Sequence, residues 1–200
     1  MDQREQNSAL EAAFSKGITY GAYNQMLQMY AQQGRTSGEQ KPSYIEYTKL
    51  SAARQRRWDK TYSAEVDFID ALGQRKIRGE RWLVFSETWC GDAAHALPLL
   101  SAWATAVGIS LRIVFRDQHP ELMDQFSING ARSIPRLIRM TDEFDVRGMW
   151  GPRPSGLTHQ YEQWKADPNF DRAAWSRHAQ EWYNKDKGRN LENDILDMMS

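Results

Sequence analysis

One short apolar run and the turn that follows it limit the fold more than any other feature of the chain. Residues 82–85 are apolar and long enough for a buried strand, and Trp89-Cys90-Gly91-Asp92 follows closely. A stretch with helical character then covers about residues 91–107. The pattern predicts a buried strand that leads to a cysteine at the start of a helix.

The segments around this turn alternate between helical and strand-like patterns. The predicted order is a helix from residue 63, strands at 82–85 and 111–115 separated by the helix 91–107, a short helix at 119–126, strands at 136–140 and 146–150, and a helical tail over 158–187 with a break near 167–168. Alternating strands and helices imply a parallel pair joined by a right-handed crossover. The last two strands read as a hairpin that adds an antiparallel partner.

Two more helices are predicted before this region, at residues 14–33 and 43–58. Ser43 is the expected N-cap of the second, and residues 34–42 between them read as a polar linker. We therefore divide the chain into an N-terminal helical extension (1–62), a central α/β domain (63–164) and a C-terminal helical tail (165–200).

Composition excludes several classes of partner and location. Lys plus Arg equals Asp plus Glu at 26 each, so charge gives no reason to expect nucleic acid or an acidic membrane as a partner. Cys90 is the only cysteine, which excludes an internal disulfide. With a polar N-terminus and no apolar run long enough for a bilayer, a reducing cytoplasm is the expected location. The four histidines lack metal-ligand spacing, and we expect no metal and no cofactor.

Three features in this order resemble the thioredoxin family. They are the strand followed by Trp89-Cys90-Gly91, Pro98 within the next helix, and Gly130-Ala131-Arg132-Ser133-Ile134-Pro135 before a strand. The resemblance covers about residues 63–164 and implies a thioredoxin-like α/β fold, a mixed central sheet flanked by helices, with extra N-terminal helices and a helical tail. It also implies a catalytic Cys90 and a cis Ile134–Pro135 bond. The implied substrate groove is formed by Trp89, Gly91, Asp92, Ile134 and Pro135.

The chain departs from the family at the resolving position. Ala93 stands where thioredoxins have a second cysteine, and Val84 stands where many have a buried aspartate. The first hypothesis is monothiol exchange, in which Cys90 attacks a disulfide and an external thiol releases the product. Its partners would be protein thiols or disulfides, or a low-molecular-weight thiol. The alternative is a non-catalytic protein-binding module, so enzyme status stays open; homo-oligomer formation through the N-terminal helices or a Cys90–Cys90 bridge is a third possibility.

Opposing charges leave the reactivity of Cys90 undecided at this level. A helix N-terminus favours a thiolate, while Asp92 opposes it and Arg136 is a candidate to offset Asp92. His95 is about 140° round the helix from Cys90, so a Cys–His pair is not expected. The tryptophans of the last third, among them Trp175, either pack peripheral helices or form an aromatic ligand groove.

Overall fold

A four-stranded mixed sheet lies at the centre of the computed structural model, which describes residues 2–200. Its strands are β1 (Arg81–Ser86), β2 (Ser110–Phe115), β3 (Arg136–Met140) and β4 (Val146–Trp150). The order across the sheet is β2-β1-β3-β4, with β1 parallel to β2 and antiparallel to β3, and β3 antiparallel to β4. The predicted α/β class and mixed sheet are confirmed.

Helices precede, connect and follow the strands. They are α1 (Gln3–Lys16), α2 (Tyr20–Gln33), α3 (Pro42–Thr61), α4 (Val66–Arg75), α5 (Gly91–Val107), α6 (Pro120–Gln125), α7 (Ser155–Lys165), α8 (Arg172–Asp186) and α9 (Arg189–Met198), with a short 3-10 turn at Arg116–Gln118. The extra helices predicted before and after the central domain in sequence are present. None of the helices within residues 2–200 is long and apolar enough to cross a membrane.

The strand that leads to Cys90 is the most buried element of the core. Trp82, Leu83, Val84 and Phe85 have no exposed surface, because β1 is an inner strand of the sheet. Helix α5 is buried over most of its circumference, since α3 packs along it on the side away from the sheet. The start of α5 is therefore held by both the sheet and the N-terminal helices.

The predicted helix over 14–33 is wrong in one respect, because the helix is interrupted at Gly17. Ile18 forms an antiparallel bridge with Ile113 of β2, with N–H donated in both directions at 2.9 and 2.8 Å. The bridge lies at the free edge of β2. Helix α1 ends before it, and α2 begins after it. Pairing with a strand outweighs local helix propensity here.

The segment predicted as a linker, 34–42, is partly buried. Thr36 and Ser37 are 2% and 6% exposed and contact the loop before Cys90. The next helix begins at Pro42 rather than after Ser43: Lys41 is the N-cap residue, and Pro42 takes the first helical position, where its missing N–H has no helical partner to lose.

The tail breaks between α7 and α8, and it continues into α9, which the prediction missed. Helices α7 and α8 share a hydrophobic cluster of Leu157, Trp175, Ala179 and Tyr183, with Trp164 and Trp182 packed against it. Helix α9 instead joins the main core through Leu191 and Ile195. The tail is thus attached to the sheet at its far end.

One buried ion pair joins the end of α4 to the sheet. The side chains of Glu80 and Arg139 are 1% and 7% exposed, and Arg139 Nε donates to Glu80 Oε1 at 3.0 Å. Glu80 also accepts hydrogen bonds from the Trp82 indole and the Ile77 amide. Arg139 donates further to the carbonyls of Arg75 and Met198. This network ties α4, β1, β3 and the end of α9 together.

Candidate functional site

Cys90 is the N-cap residue of α5. Its Sγ accepts a hydrogen bond from the Ala93 amide at 3.5 Å, in the way that a capping oxygen does. The thiol donates in turn to the carbonyl oxygen of Ile134 at 3.3 Å. The Ile134–Pro135 peptide bond is cis, as is Gly151–Pro152. Cys90 and the loop before β3 are therefore in direct contact.

Asp92 links the start of α5 to the C-terminal helices. Its Oδ2 forms an ion pair with Arg153 Nε at 2.8 Å. Its Oδ1 accepts a hydrogen bond from the Tyr183 hydroxyl at 3.1 Å. The sequence had suggested Arg136 as the cation that offsets Asp92; Arg136 instead donates to the Gly151 carbonyl and Met149 Sδ. The offsetting cation is Arg153.

Arg54 brings a second cation from α3 to the same place. A Cβ atom on Gly91 would lie 2.8 Å from Arg54 Nη1, so the guanidinium occupies the space that glycine leaves open. Arg54 also interacts electrostatically with Asp92. Two arginines from distant parts of the chain thus surround the carboxylate beside Cys90.

Trp89 is held between two side chains of its own chain. Its ring stacks on Tyr44 with centroids 4.4 Å apart, and the Arg116 guanidinium lies 5.0 Å from its ring centre. Within residues 2–200 its buried indole N–H has no hydrogen-bond partner. The apolar surface that a thioredoxin-like tryptophan would offer to a partner is therefore largely covered.

Buried hydroxyl groups hold the loop before Cys90 against segment 34–42, which had been predicted as a linker. Ser37 Oγ donates to Glu87 Oε2, and the Thr88 amide donates back to Ser37 Oγ at 2.9 Å. The Asp117 amide donates to the other oxygen of Glu87 at 3.0 Å. Burial raises the pKa of Glu87, although these hydrogen bonds partly offset it. The loop before Cys90 is held from both sides.

His95 is close to the site, but its ring already has hydrogen-bond and stacking partners within the chain. Its Nδ1 accepts a hydrogen bond from the Trp58 indole at 2.9 Å, and its ring stacks on Tyr183 at 4.0 Å. Burial lowers the pKa of His95 to about 3, so the ring is neutral near pH 7. No hydrogen bond joins it to Cys90 among the described residues. It packs α5 against α3 and α8.

These groups surround a cavity of about 540 Å³. Five of the six residues expected at the site line it: Trp89, Cys90, Gly91, Asp92 and Ile134. Pro135 is not a lining residue; its carbonyl oxygen packs against Gly151 instead. The remaining lining comes from α3, the 3-10 turn at Arg116–Gln118, the loop before β3, the turn after β4, and α7 and α8 with the loop between them.

Sequence reasoning missed the residues that the outer helices contribute to this cavity. They are chiefly Tyr44 and Arg54 from α3, Arg153 from the turn after β4, and Tyr183 from α8. The one available signal was the aromatic content of the tail, which had already suggested Trp175. Trp175 packs the α7–α8 cluster and also lines the cavity.

The Cys90 thiol is protonated at neutral pH in this environment. The residue is 7% exposed. Burial and, second, the Asp92 carboxylate raise the pKa of Cys90 to about 12, and the Ala93 amide and Arg153 offset only part of this. The sequence had suggested that the helix N-terminus would favour a thiolate. In the structure the loss of solvent around the sulfur outweighs that effect.

Alkylation of Cys90 is expected to accelerate by about tenfold per pH unit and to keep rising beyond about pH 10, because the thiolate fraction grows until the pKa is reached. Iodoacetamide labelling followed by mass spectrometry measures the rate. The urea-unfolded chain is the control and should level off near the ordinary thiol value of about 8.5. A plateau near that value in the folded protein would contradict the raised pKa of Cys90.

Asp92→Asn is expected to move this profile to lower pH by about one unit or more, because the like charge beside the thiolate is lost. Asparagine keeps an oxygen that can accept from Tyr183. Asp67→Asn is the matched control, since Asp67 is an exposed carboxylate on α4, a helix that does not line this site, and it should leave the profile unchanged. Equal profiles for Asp92→Asn and the wild type would show that Asp92 does not influence the thiol.

Comparisons with known proteins agree with this geometry. A family model described as thioredoxin matches residues 38–165, more than half of the chain. No curated protein matches significantly. Two crystal structures share the fold, each covering 94% of both chains: a protein of unknown function from Pseudomonas aeruginosa (18% identity, TM-score 0.60) and an HIV epitope-scaffold (19% identity, TM-score 0.57). With the cysteine at the start of α5 and the loop of Ile134 against it, the chain belongs to the thioredoxin family.

Proposed function

We propose that this protein binds a small molecule in the cavity beside Cys90, and that Cys90 is a contact in that complex rather than a nucleophile. The observation that most supports this is the burial of the thiol beside a cavity: Cys90 is 7% exposed and lines a cavity of about 540 Å³. Pockets for small ligands typically measure about 300–1,000 Å³. The cavity is the right size for such a ligand and is lined by both aromatic and charged groups.

A folded protein partner fits this site less well, because both of its expected contacts are already used. A substrate strand would pair with the backbone at Ile134, yet Ile134 is 7% exposed and its carbonyl accepts the Cys90 thiol. The ring of Trp89 is covered by Tyr44 and Arg116. These contacts favour a low-molecular-weight ligand over the protein partners that the family resemblance implies.

Monothiol exchange with a low-molecular-weight disulfide is the second candidate. The position of Cys90 Sγ favours it, because the sulfur caps α5 and lies on the cavity wall. In this reaction the Cys90 sulfur bonds to one sulfur of the disulfide RSSR, the S–S bond breaks, and the leaving thiolate takes up the thiol proton as RSH. An external thiol R'SH then attacks the R sulfur of the mixed disulfide, which releases R–S–S–R', and its proton returns to the Cys90 sulfur. The high pKa of the thiol makes the first step slow at neutral pH.

A binding and protection experiment tests the first proposal. Two fluorescent probes share one aromatic frame, neutral phenylnaphthylamine and the anionic anilinonaphthalene sulfonate. We expect at least one to bind the wild type saturably at one site, to slow alkylation of Cys90 at about pH 9, and to bind Cys90→Ser with similar affinity. The proposal would be overturned if neither probe binds, or if a bound probe leaves the alkylation rate of Cys90 unchanged.

A turnover assay separates the two candidates. The protein is incubated with hydroxyethyl disulfide and excess glutathione, and formation of glutathione disulfide is followed. If Cys90 is only a contact, the rate equals that of Cys90→Ser at every protein concentration. A rate that rises with wild-type protein and is absent from Cys90→Ser would establish monothiol exchange instead.

A further inference from the structure

Arginine dominates the charge around the cavity. The side chains that line it include one carboxylate, Asp92, and five arginines: Arg54, Arg116, Arg132, Arg153 and Arg172. His95 adds no charge at neutral pH, since burial keeps it unprotonated. The cavity therefore has a net positive charge although the whole chain has none.

Most of these arginines already have an acidic partner. Arg116 pairs with Asp117, Arg132 with Asp124, and Arg153 with Asp92. Within residues 2–200, Arg54 and Arg172 form no hydrogen bond or ion pair. Arg172 is exposed at the start of α8, whereas Arg54 is partly buried against Gly91. A partly buried cation without a hydrogen-bonded counter-charge is costly unless something binds it.

The position of Arg54 adds a second contribution to anion binding. Its guanidinium lies at the N-terminus of α5, where the first amides of the helix and the helix dipole also favour negative charge. A guanidinium presents two parallel N–H groups that match the oxygens of a carboxylate, phosphate or sulfonate. Asp92 interacts electrostatically with Arg54, but its two oxygens contact Arg153 and Tyr183. The N–H groups of the Arg54 guanidinium therefore remain available to a ligand.

Another part of the cavity lining is aromatic, and the Arg153 guanidinium lies 4.2 Å from the centre of its Tyr161 ring. Tyr161 lies 5.1 Å from Trp175 and 6.2 Å from Phe170 between ring centroids, and all three line the cavity. Flat rings of this kind favour a planar or apolar ligand surface. The two parts of the lining together fit a molecule with a charged end and a flat body.

We propose that the ligand of this cavity is an organic oxyanion, with a carboxylate, phosphate or sulfonate group on Arg54 at the start of α5 and a planar portion against the aromatic part of the lining. This inference rests on the proposed binding function and assigns its chemical class. Arg54 determines specificity for the charge, while Trp175 and its neighbours accept the body without regard to charge.

The two probes introduced above test this assignment, because they differ only by the sulfonate. Binding is measured for the wild type, Arg54→Gln, Arg54→Lys and Arg56→Gln, a control on the exposed side of the same helix. We expect Arg54→Gln to weaken the sulfonate probe about tenfold or more and to leave the neutral probe unchanged. Arg54→Lys should retain part of the affinity, and Arg56→Gln should match the wild type.

The outcomes separate this inference from the binding proposal. If the neutral probe binds the wild type as tightly as the sulfonate, or if Arg54→Gln leaves sulfonate binding intact, the oxyanion assignment is wrong while binding in the cavity stands. If neither probe binds the wild type, the binding function itself is wrong. Melting curves check that each variant is folded, and Arg54→Met, which keeps the apolar stem, replaces Arg54→Gln should the latter fail to fold.

Discussion

Gly151→Ala is expected to lower the free energy of unfolding by about 3 kcal/mol or more. Gly151 has a φ of 117°, a conformation that residues with a side chain rarely adopt. A Cβ atom there would also overlap the carbonyl oxygen of Pro135, which is backbone and cannot turn away. Urea unfolding followed by tryptophan fluorescence measures the loss.

Gly130→Ala is the matched control for this change. Gly130 also has a positive φ, of 76°, but an added Cβ atom would meet nothing within 4 Å. Its loss should be limited to the backbone cost of about 1–2 kcal/mol. Equal losses for the two variants would show that the contact between the loops of Pro135 and Gly151 does not contribute to stability.

Glu80→Gln is expected to cost about 3–5 kcal/mol, because it leaves Arg139 charged and buried without a counter-ion. The substitution preserves size and an acceptor for the Trp82 indole, but besides the charge it removes the acceptor of the Ile77 amide. Guanidinium unfolding provides the measurement. The exposed pair of Glu46 and Lys49 supplies the control, and Glu46→Gln should cost at most about 1 kcal/mol.

A double variant distinguishes a buried charge from general disruption. In Glu80→Gln with Arg139→Met the unpaired cation is gone, so part of the lost stability should return. Full recovery is not expected, because Arg139 also donates to the carbonyls of Arg75 and Met198. No recovery at all would mean that the loss came from packing around residue 80 rather than from the charge.

The sheet and α5 were predictable because their signals are local. The apolar run before Cys90 forms an inner strand, and the glycine after the cysteine begins the helix. The break at Gly17 was not predictable in this way, since it depends on Ile18 meeting Ile113 on another strand. Helix α9 could have been found, because Leu191 and Ile195 are apolar at helical spacing.

The electrostatics of the site depend on how the outer helices dock, which no local pattern records. Arg54, Arg153 and Tyr183 are far from Cys90 in sequence, and only the packing of α3, the turn after β4 and α8 brings them to Asp92. The state of the thiol was equally hidden. Its helix position was correctly predicted, but burial determines the direction of the pKa shift, and burial comes from those same helices.

The close approach of Arg54 to Gly91 has a consequence for sequence variation. Glycine after the cysteine serves here as vacant volume, and any larger residue would push the guanidinium away from the helix start. Substitutions at positions 54 and 91 are therefore not independent, although the two belong to different helices. A chain that lost the arginine could accept a side chain at position 91 without rearrangement, whereas one that kept it would have to move the guanidinium away from the helix start.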